Sequence, residues 1–218
     1  MDRPSVYLLS FTKPTEDSGF EGALDLIEYS GRVDYGQKSL NKMGERDIIR
    51  RWIESGHQSM IEMADATFLI ECSRVVSHEL VRHRHASFQQ ESQRYVKYDD
   101  ESEDALFFIP PEIAENPEAD RIYREHLTAS LVVYKRLKDM GLKSQIARYG
   151  LPNATRTRIV MKSNLRDWRH FCMLRMHSSA QPEMQDVARQ IYKELNGMYP
   201  EVFGDIAQRL EEGERQVR

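Results

Sequence analysis

The run Ala64-Asp65-Ala66-Thr67-Phe68-Leu69-Ile70-Glu71-Cys72 places Ala66, Phe68 and Ile70 on one side and Thr67, Leu69 and Glu71 on the other. A period of two is the mark of a strand with one buried face. The chain next reads as a helix from Arg74 to Arg82, leaves it through Ala86-Ser87, and continues as a short strand over Ser92 to Tyr98. Helix, turn and strand in succession make a shape that wraps a ligand.

That turn carries the densest charge in the chain: Arg82-His83-Arg84-His85-Ala86-Ser87-Phe88-Gln89-Gln90-Glu91-Ser92-Gln93-Arg94-Tyr95. Successive helical residues are about 100° apart, so Arg82 to His85 cannot share one face. If the segment starts buried, one or two of these groups point inward, and a buried cation needs a carboxylate or a bound anion. Arginine's planar fork suits phosphate, and serine hydroxyls can complete the cradle. The plain alternative is a solvated basic helix end, favoured by the helix dipole. A metal site is set aside. His78 and His83 stand five apart, which turns them roughly 140° away from each other on a helix.

Outward from this stretch, Val6 to Phe11 reads as a first strand and Gly22 to Ser30 as a short helix, with Gly31 to Gly36 a loop. A helix over Glu45 to Glu54 stops at Ser55-Gly56. Asp99 to Asp104 is an acidic loop, and Phe107 to Pro111 a brief strand. Ala119 to Met140 is a long helix ending at Gly141, its apolar stripe core or subunit interface. Lys143 to Leu151 is a short helix stopped by Pro152, followed by a strand over Asn153 to Met161 and a helix over Asn164 to Arg175. Glu183 to Leu195 is a last amphipathic helix, Phe203 to Leu210 adds a turn or two, and Glu211 to Arg218 frays. The fold class is α/β (α+β), with helices packed on a mostly antiparallel sheet in a single domain, 1–218.

The 218 residues are enough for one real core. A net charge of −4 argues against a general nucleic-acid binder, so a basic pocket in an acidic protein points to a small anionic ligand. No apolar run is long enough for a membrane span, and Met1-Asp2-Arg3-Pro4 lacks a signal-peptide pattern. Cys72 and Cys172 form no CxxC pair and read as core cysteines. The expected location is the cytoplasm.

Arg82-His83-Arg84-x-x-Ser87, four residues, then Ser92-x-Arg94-Tyr95 resembles the signature of the flavin-dependent thymidylate synthases, seven positions at fixed spacing. Two further stretches are similar to the family: Gly56-His57-Gln58-Ser59-Met60-Ile61-Glu62, and Asn164 through Arg175. The resemblance implies an enzyme that makes dTMP from dUMP with FAD, methylenetetrahydrofolate as carbon donor and NADPH as reductant. It implies that His57, Ser59, Arg82, His83, Arg84, Asn164 and His170 hold FAD. It further implies that Gln90, Ser92, Gln93, Arg94 and Arg148 hold dUMP, and that Arg175 meets the uracil ring as the catalytic group. The family binds its flavin between subunits of a homotetramer. Met63 and Ser179 stand where family members often carry histidine, and glutamate sometimes replaces Gln90.

The chemistry suits these residues. Methylating C5 of uracil needs electron density at a poorly nucleophilic carbon, and a guanidinium against the ring carbonyl stabilises the enolate-like charge. No side chain supplies hydride, so a cofactor must. There is no dinucleotide glycine fingerprint and no P-loop, so FAD would bind without either. Ser92 lacks a histidine–carboxylate partner at recognisable spacing and reads as a binding group rather than a nucleophile. Two rival readings are a nucleic-acid module built on the Arg82–Arg94 cluster and a flavoprotein of the same fold acting on another substrate.

Overall fold

The computed structural model describes residues 3–36, 44–98 and 101–217. The start Met1-Asp2, Asp99 and Asp100 of the expected acidic loop, and the terminal Arg218 lie outside the described residues. In order come β1 (Ser5–Phe11), a 3-10 turn (Glu16–Ser18), α1 (Ala23–Val33), α2 (Arg46–Glu54), a 3-10 helix (Ser59–Met63), β2 (Asp65–Ser73), α3 (Arg74–Leu80) and β3 (Ser87–Gln90). Then follow α4 (Glu103–Leu106), α5 (Pro111–Ala114), α6 (Pro117–Asp139), α7 (Ser144–Ala147), a 3-10 turn (Arg148–Gly150) and β4 (Arg156–Asn164). The chain closes with α8 (Leu165–Arg175), α9 (Pro182–Met198), α10 (Pro200–Phe203) and α11 (Ile206–Val217). The strands form one antiparallel sheet in the order β1-β2-β4-β3, so the fold class is the one the alternating runs implied.

Contacts divide the chain into two compact units: Met1–Ser5 with Ile70–Arg82 and Phe88–Val160, and Val6–Leu69 with His83–Ser87 and Met161–Arg218. In the first, α6 supplies Leu127, Leu131 and Tyr134 to a core with Tyr98, Leu106, Phe107, Ile109, Ala147 and Ala154. Asn116 caps α6, its side-chain oxygen accepting from the Glu118 and Ala119 amides at 3.1 and 3.2 Å. In the second, Phe68 of β2 meets Trp168 of α8 edge-on at 5.2 Å, and Trp168 meets Phe171 at 5.5 Å. Trp168 donates its indole N–H to the Ala66 carbonyl at 3.0 Å, so its one polar atom is satisfied in the core.

Four expectations are corrected. The strand after the basic turn is Ser87–Gln90, whereas Ser92 to Tyr95 is a turn in which the Tyr95 and Val96 amides both donate to the Ser92 carbonyl. The Ser92 hydroxyl accepts from the Arg94 amide at 3.3 Å, a local bond that competes with a ladder. Phe107 makes an isolated antiparallel bridge to Thr155 rather than a strand, because Pro110 and Pro111 offer no amide to extend it. The expected fraying tail is helical to Val217, with Arg209 paired to Asp205 and Gln208 to Glu212 one turn apart.

Finally, α1 does not stop at Ser30 but runs to Val33. Arg32 pairs one turn back with the buried Glu28, and Gly31 lies directly under the Trp52 ring of α2. A Cβ at Gly31 would sit 2.4 Å from Trp52 Cζ3. Gly31→Ala is expected to destabilise the protein by about 1–3 kcal/mol, the usual cost of overpacking a filled core. Urea unfolding checks this, and an unchanged midpoint would mean the Trp52 ring is free to move aside.

Candidate functional site

The basic turn sorts its four side chains by the cost of burying them. Arg82, Arg84 and His85 are exposed, and His83 alone points inward, half-buried. An imidazole can shed its proton to enter a low-dielectric site, whereas a guanidinium cannot. The expectation that an inward cation would need a bound anion is thereby answered: the inward group is held as a neutral ring. Its Nε2 accepts a hydrogen bond from Arg175 Nε at 3.0 Å. Burial first, then the charges of Arg175 and His170, lower the His83 pKa to about 4.

Arg175 occupies the last turn of α8, and Phe171 lies one turn earlier on the same face. The His83 ring packs edge-on against Phe171, 4.9 Å between centroids. A file of rings therefore leads from the core, Phe68 to Trp168 to Phe171 to His83, and ends on the Arg175 guanidinium. The turn itself is closed by the Ala86 amide donating to the His83 carbonyl, and Ser163 of β4 donates to the His85 carbonyl at 3.5 Å.

A cleft of about 850 Å³ opens in the same unit, lined by Asn164, His170, His85, Gln58, Glu62 and Met173 together with arginines and Asp167. Two of the expected cofactor residues, Asn164 and His170, meet here. Asn164 also caps α8, its side-chain oxygen accepting from the Asp167 amide at 2.9 Å. Across the cleft wall Arg166 pairs with Glu62. Gly56, at φ +84°, turns the chain so that the His57 amide reaches the Trp52 carbonyl at 2.8 Å. The side chains of His57 and Ser59 are exposed, and their neighbours Gln58 and Glu62 line the cleft. Gln58 and Met173 carry no mark of a site in the sequence by type or spacing, and His85 of the basic turn, assigned no role there, lines the cleft with them.

In the other unit Gln90 is anchored by two hydroxyls. Its Nε2 donates to Ser77 Oγ at 2.9 Å and to Thr157 Oγ1 at 3.2 Å. Ser77 donates its own hydrogen to the Arg74 carbonyl, so it can only accept from Gln90. Both amide hydrogens are thus used, and Oε1 is the atom Gln90 offers to a ligand. Ser92 and Arg94 share one turn, with the Arg94 guanidinium over the Tyr95 ring at 5.6 Å and both residues of that pair exposed. Gln93 is buried, and its Nε2 has no hydrogen-bond partner among the described residues. Arg148 is half-buried at the start of the Arg148–Gly150 turn. Cys72 and Cys172 are both buried thiols, as expected of core cysteines. Met63 is exposed, and Ser179 Oγ lies 2.8 Å from His177 Nδ1.

In one unit a half-buried guanidinium rests on an imidazole and a polar cleft opens, and in the other a glutamine is oriented by two hydroxyls. The family described as Thymidylate synthase complementing protein matches residues 18–201. A flavin-dependent thymidylate synthase of Thermococcus onnurineus is 34% identical over 202 residues, covering 89% of this chain and 79% of that one. The enzyme of the same name from Mycobacteroides abscessus is 37% identical over 208 residues, covering 85% and 80%. Among solved structures, the UMP/dUMP methylase PolB from Streptomyces cacaoi bound with 5-Br dUMP superposes with a TM-score of 0.82 at 24% identity, covering 95% of this chain and 96% of that one, a likeness of fold. The chain belongs to the flavin-dependent thymidylate synthase family and is an enzyme of that class.

The His83 environment has a measurable consequence. The unfolded chain binds this proton near pH 6.5 and the folded one near 4, so stability falls as the pH drops through that window and is level above it. Imidazole NMR in the folded protein is expected to show His83 titrating near pH 4, well below an exposed histidine. A midpoint near 6.5 would mean the ring is not held on Arg175.

Proposed function

We propose that this enzyme methylates dUMP to dTMP, taking the carbon from methylenetetrahydrofolate and the hydride from a reduced flavin that NADPH recharges. The observation that carries the reading is Arg175, presented at a helix end and held through Nε by His83. Residues present fit the flavin. The cleft falls in the size range of cofactor pockets and its wall carries amide and imidazole groups, while Arg82 and Arg84 offer exposed guanidiniums for a pyrophosphate. Asn164, His170, His57 and Ser59 are the remaining members of that set, while His83, which the resemblance also assigns to the flavin, is engaged by Arg175. When bound, FAD supplies the hydride that reduces the transferred carbon.

The protein's own part is placement and charge. Arg94 and Arg148 hold the nucleotide phosphate, with Ser92 and Gln93 beside them. Gln90 Oε1 accepts from an N–H or O–H of the nucleotide, the role its two anchored amide hydrogens leave to it. Arg175 sits against the uracil carbonyl and stabilises the enolate-like charge that makes C5 nucleophilic. As C5 bonds to the methylene carbon, that carbon's bond to a folate nitrogen breaks and the nitrogen keeps the electron pair; C5 then gives up its proton. Water has to be kept from the transferred carbon until hydride arrives, which a closed assembly would do. The reading extends to residues 1–218 acting as one domain, a homotetramer with sites between subunits, and a cytoplasmic location. Tyr7, Leu9 and Phe11, exposed on one side of the edge strand β1, and Ile122, Val132 and Val133, exposed on α6, support association. No helix among the described residues is long and apolar enough to cross a membrane.

Purified protein is expected to show flavin absorbance that shifts when dUMP is added, and to form dTMP with the folate and NADPH. Arg175→Ala should lower kcat by about 10²–10³-fold with nucleotide binding retained, the cost of removing one charge-stabilising donor. Arg94→Ala should instead raise the dUMP KM by about 10–100-fold, the loss of a charged hydrogen bond. Protein that takes up no flavin, or that binds flavin and ignores dUMP, would overturn the reading.

A further inference from the structure

We propose that His83 is a positioning residue for Arg175: its imidazole nitrogen accepts the Nε–H and fixes the plane of the guanidinium. The inference rests on the reading of Arg175 as the group that meets the uracil ring. The resemblance assigns the whole Arg82-His83-Arg84 run to the cofactor. Here the middle member commits its Nε2 to another side chain of the protein, 92 positions away in sequence.

An arginine at the last turn of a helix has four rotatable bonds below a rigid fork, and holding that fork still costs rotamer entropy. A hydrogen bond at Nε acts where the fork joins its stem, so it sets the direction in which the two terminal nitrogens point. The acceptor must itself be rigid for this to work, and His83 is. Its ring is wedged on Phe171, a fully buried residue of the same helix that carries Arg175. The guanidinium is therefore referenced to α8 twice, once through its own stem and once through Phe171 and His83.

The arrangement also requires a particular protonation state. A neutral imidazole has one donor and one acceptor nitrogen, and an imidazolium has two donors. Burial is the main influence against protonating the ring, and the charges of Arg175 and His170 add to it. Burial keeps His83 an acceptor, and the cation it positions reinforces that state.

The test compares His83→Gln, whose amide oxygen can reach the same donor, with His83→Phe, which keeps the ring on Phe171 and removes the acceptor. His83→Leu replaces the latter if it does not fold. Steady-state kinetics give kcat and the dUMP KM, dUMP titration of the flavin band gives affinity, and ¹⁵N NMR of the ligand-free protein follows the Arg175 Nε–H. His83→Phe is expected to lose about a hundredfold in kcat, the scale of a misplaced catalytic group, with dUMP and flavin affinity unchanged within about threefold. His83→Gln should recover most of kcat, and the Nε–H signal, protected in wild type and His83→Gln, should vanish in His83→Phe. Equal loss in both variants, or weakened flavin binding with kcat intact, would overturn the inference and return His83 to the cofactor. If wild type itself forms no dTMP, it is the proposed function that fails, and the Nε–H signal still reports on the pair.

Discussion

The hydrogen bond from Arg175 Nε to His83 Nε2 joins two of the stretches that resemble the family. One stretch is a turn after α3, the other the end of α8, and neither has a reason to be ordered at its tip by local sequence alone. Their meeting is made possible by three aromatic residues. Phe68 comes from the sheet, and Trp168 and Phe171 from the helix, each edge-on to the next, and together they carry the rigidity of the core out to the surface. An edge-to-face ring pair adds about 0.5–1.5 kcal/mol beyond the area it buries, so the file contributes to stability as well as to placement. The cost of bringing a titratable ring inward is met by keeping it neutral.

The same logic recurs at Gln90. A free glutamine could present either end of its amide to a ligand. Ser77 removes that choice, because its hydroxyl is already committed to the Arg74 carbonyl and can only accept. Ser77 and Thr157 are both buried, on α3 and β4. Buried hydroxyls on regular elements thus set the polarity of a side chain that sits on a short strand.

Much of this was legible in the sequence. Period-two alternation gave β2 to within a residue at each end, because Ala66, Phe68 and Ile70 have to be buried together. The helical stripe gave α6, and the fixed spacing of arginines and serines gave the family. The turn at Ser92 was not legible, since Arg94, Tyr95 and Val96 look extended by propensity and a hydroxyl-to-amide bond decides otherwise. Nor was the extension of α1 past Gly31, where glycine reads as a stop but answers to the Trp52 ring. The pairing of His83 with Arg175 was beyond reach for a different reason. Four polar residues in a row, Arg82 to His85, give no hint of which one turns inward, and that choice is made by Phe171, far away in the chain.

The most direct test of the account is a crystal structure of the protein with dUMP and oxidised flavin bound. The account predicts the Arg175 terminal nitrogens within about 3 Å of the uracil carbonyl or N3, with Nε still on His83 and the His83 ring still against Phe171. Arg175 turned away from the base, or His83 swung off Phe171 to lie on the flavin, would contradict it.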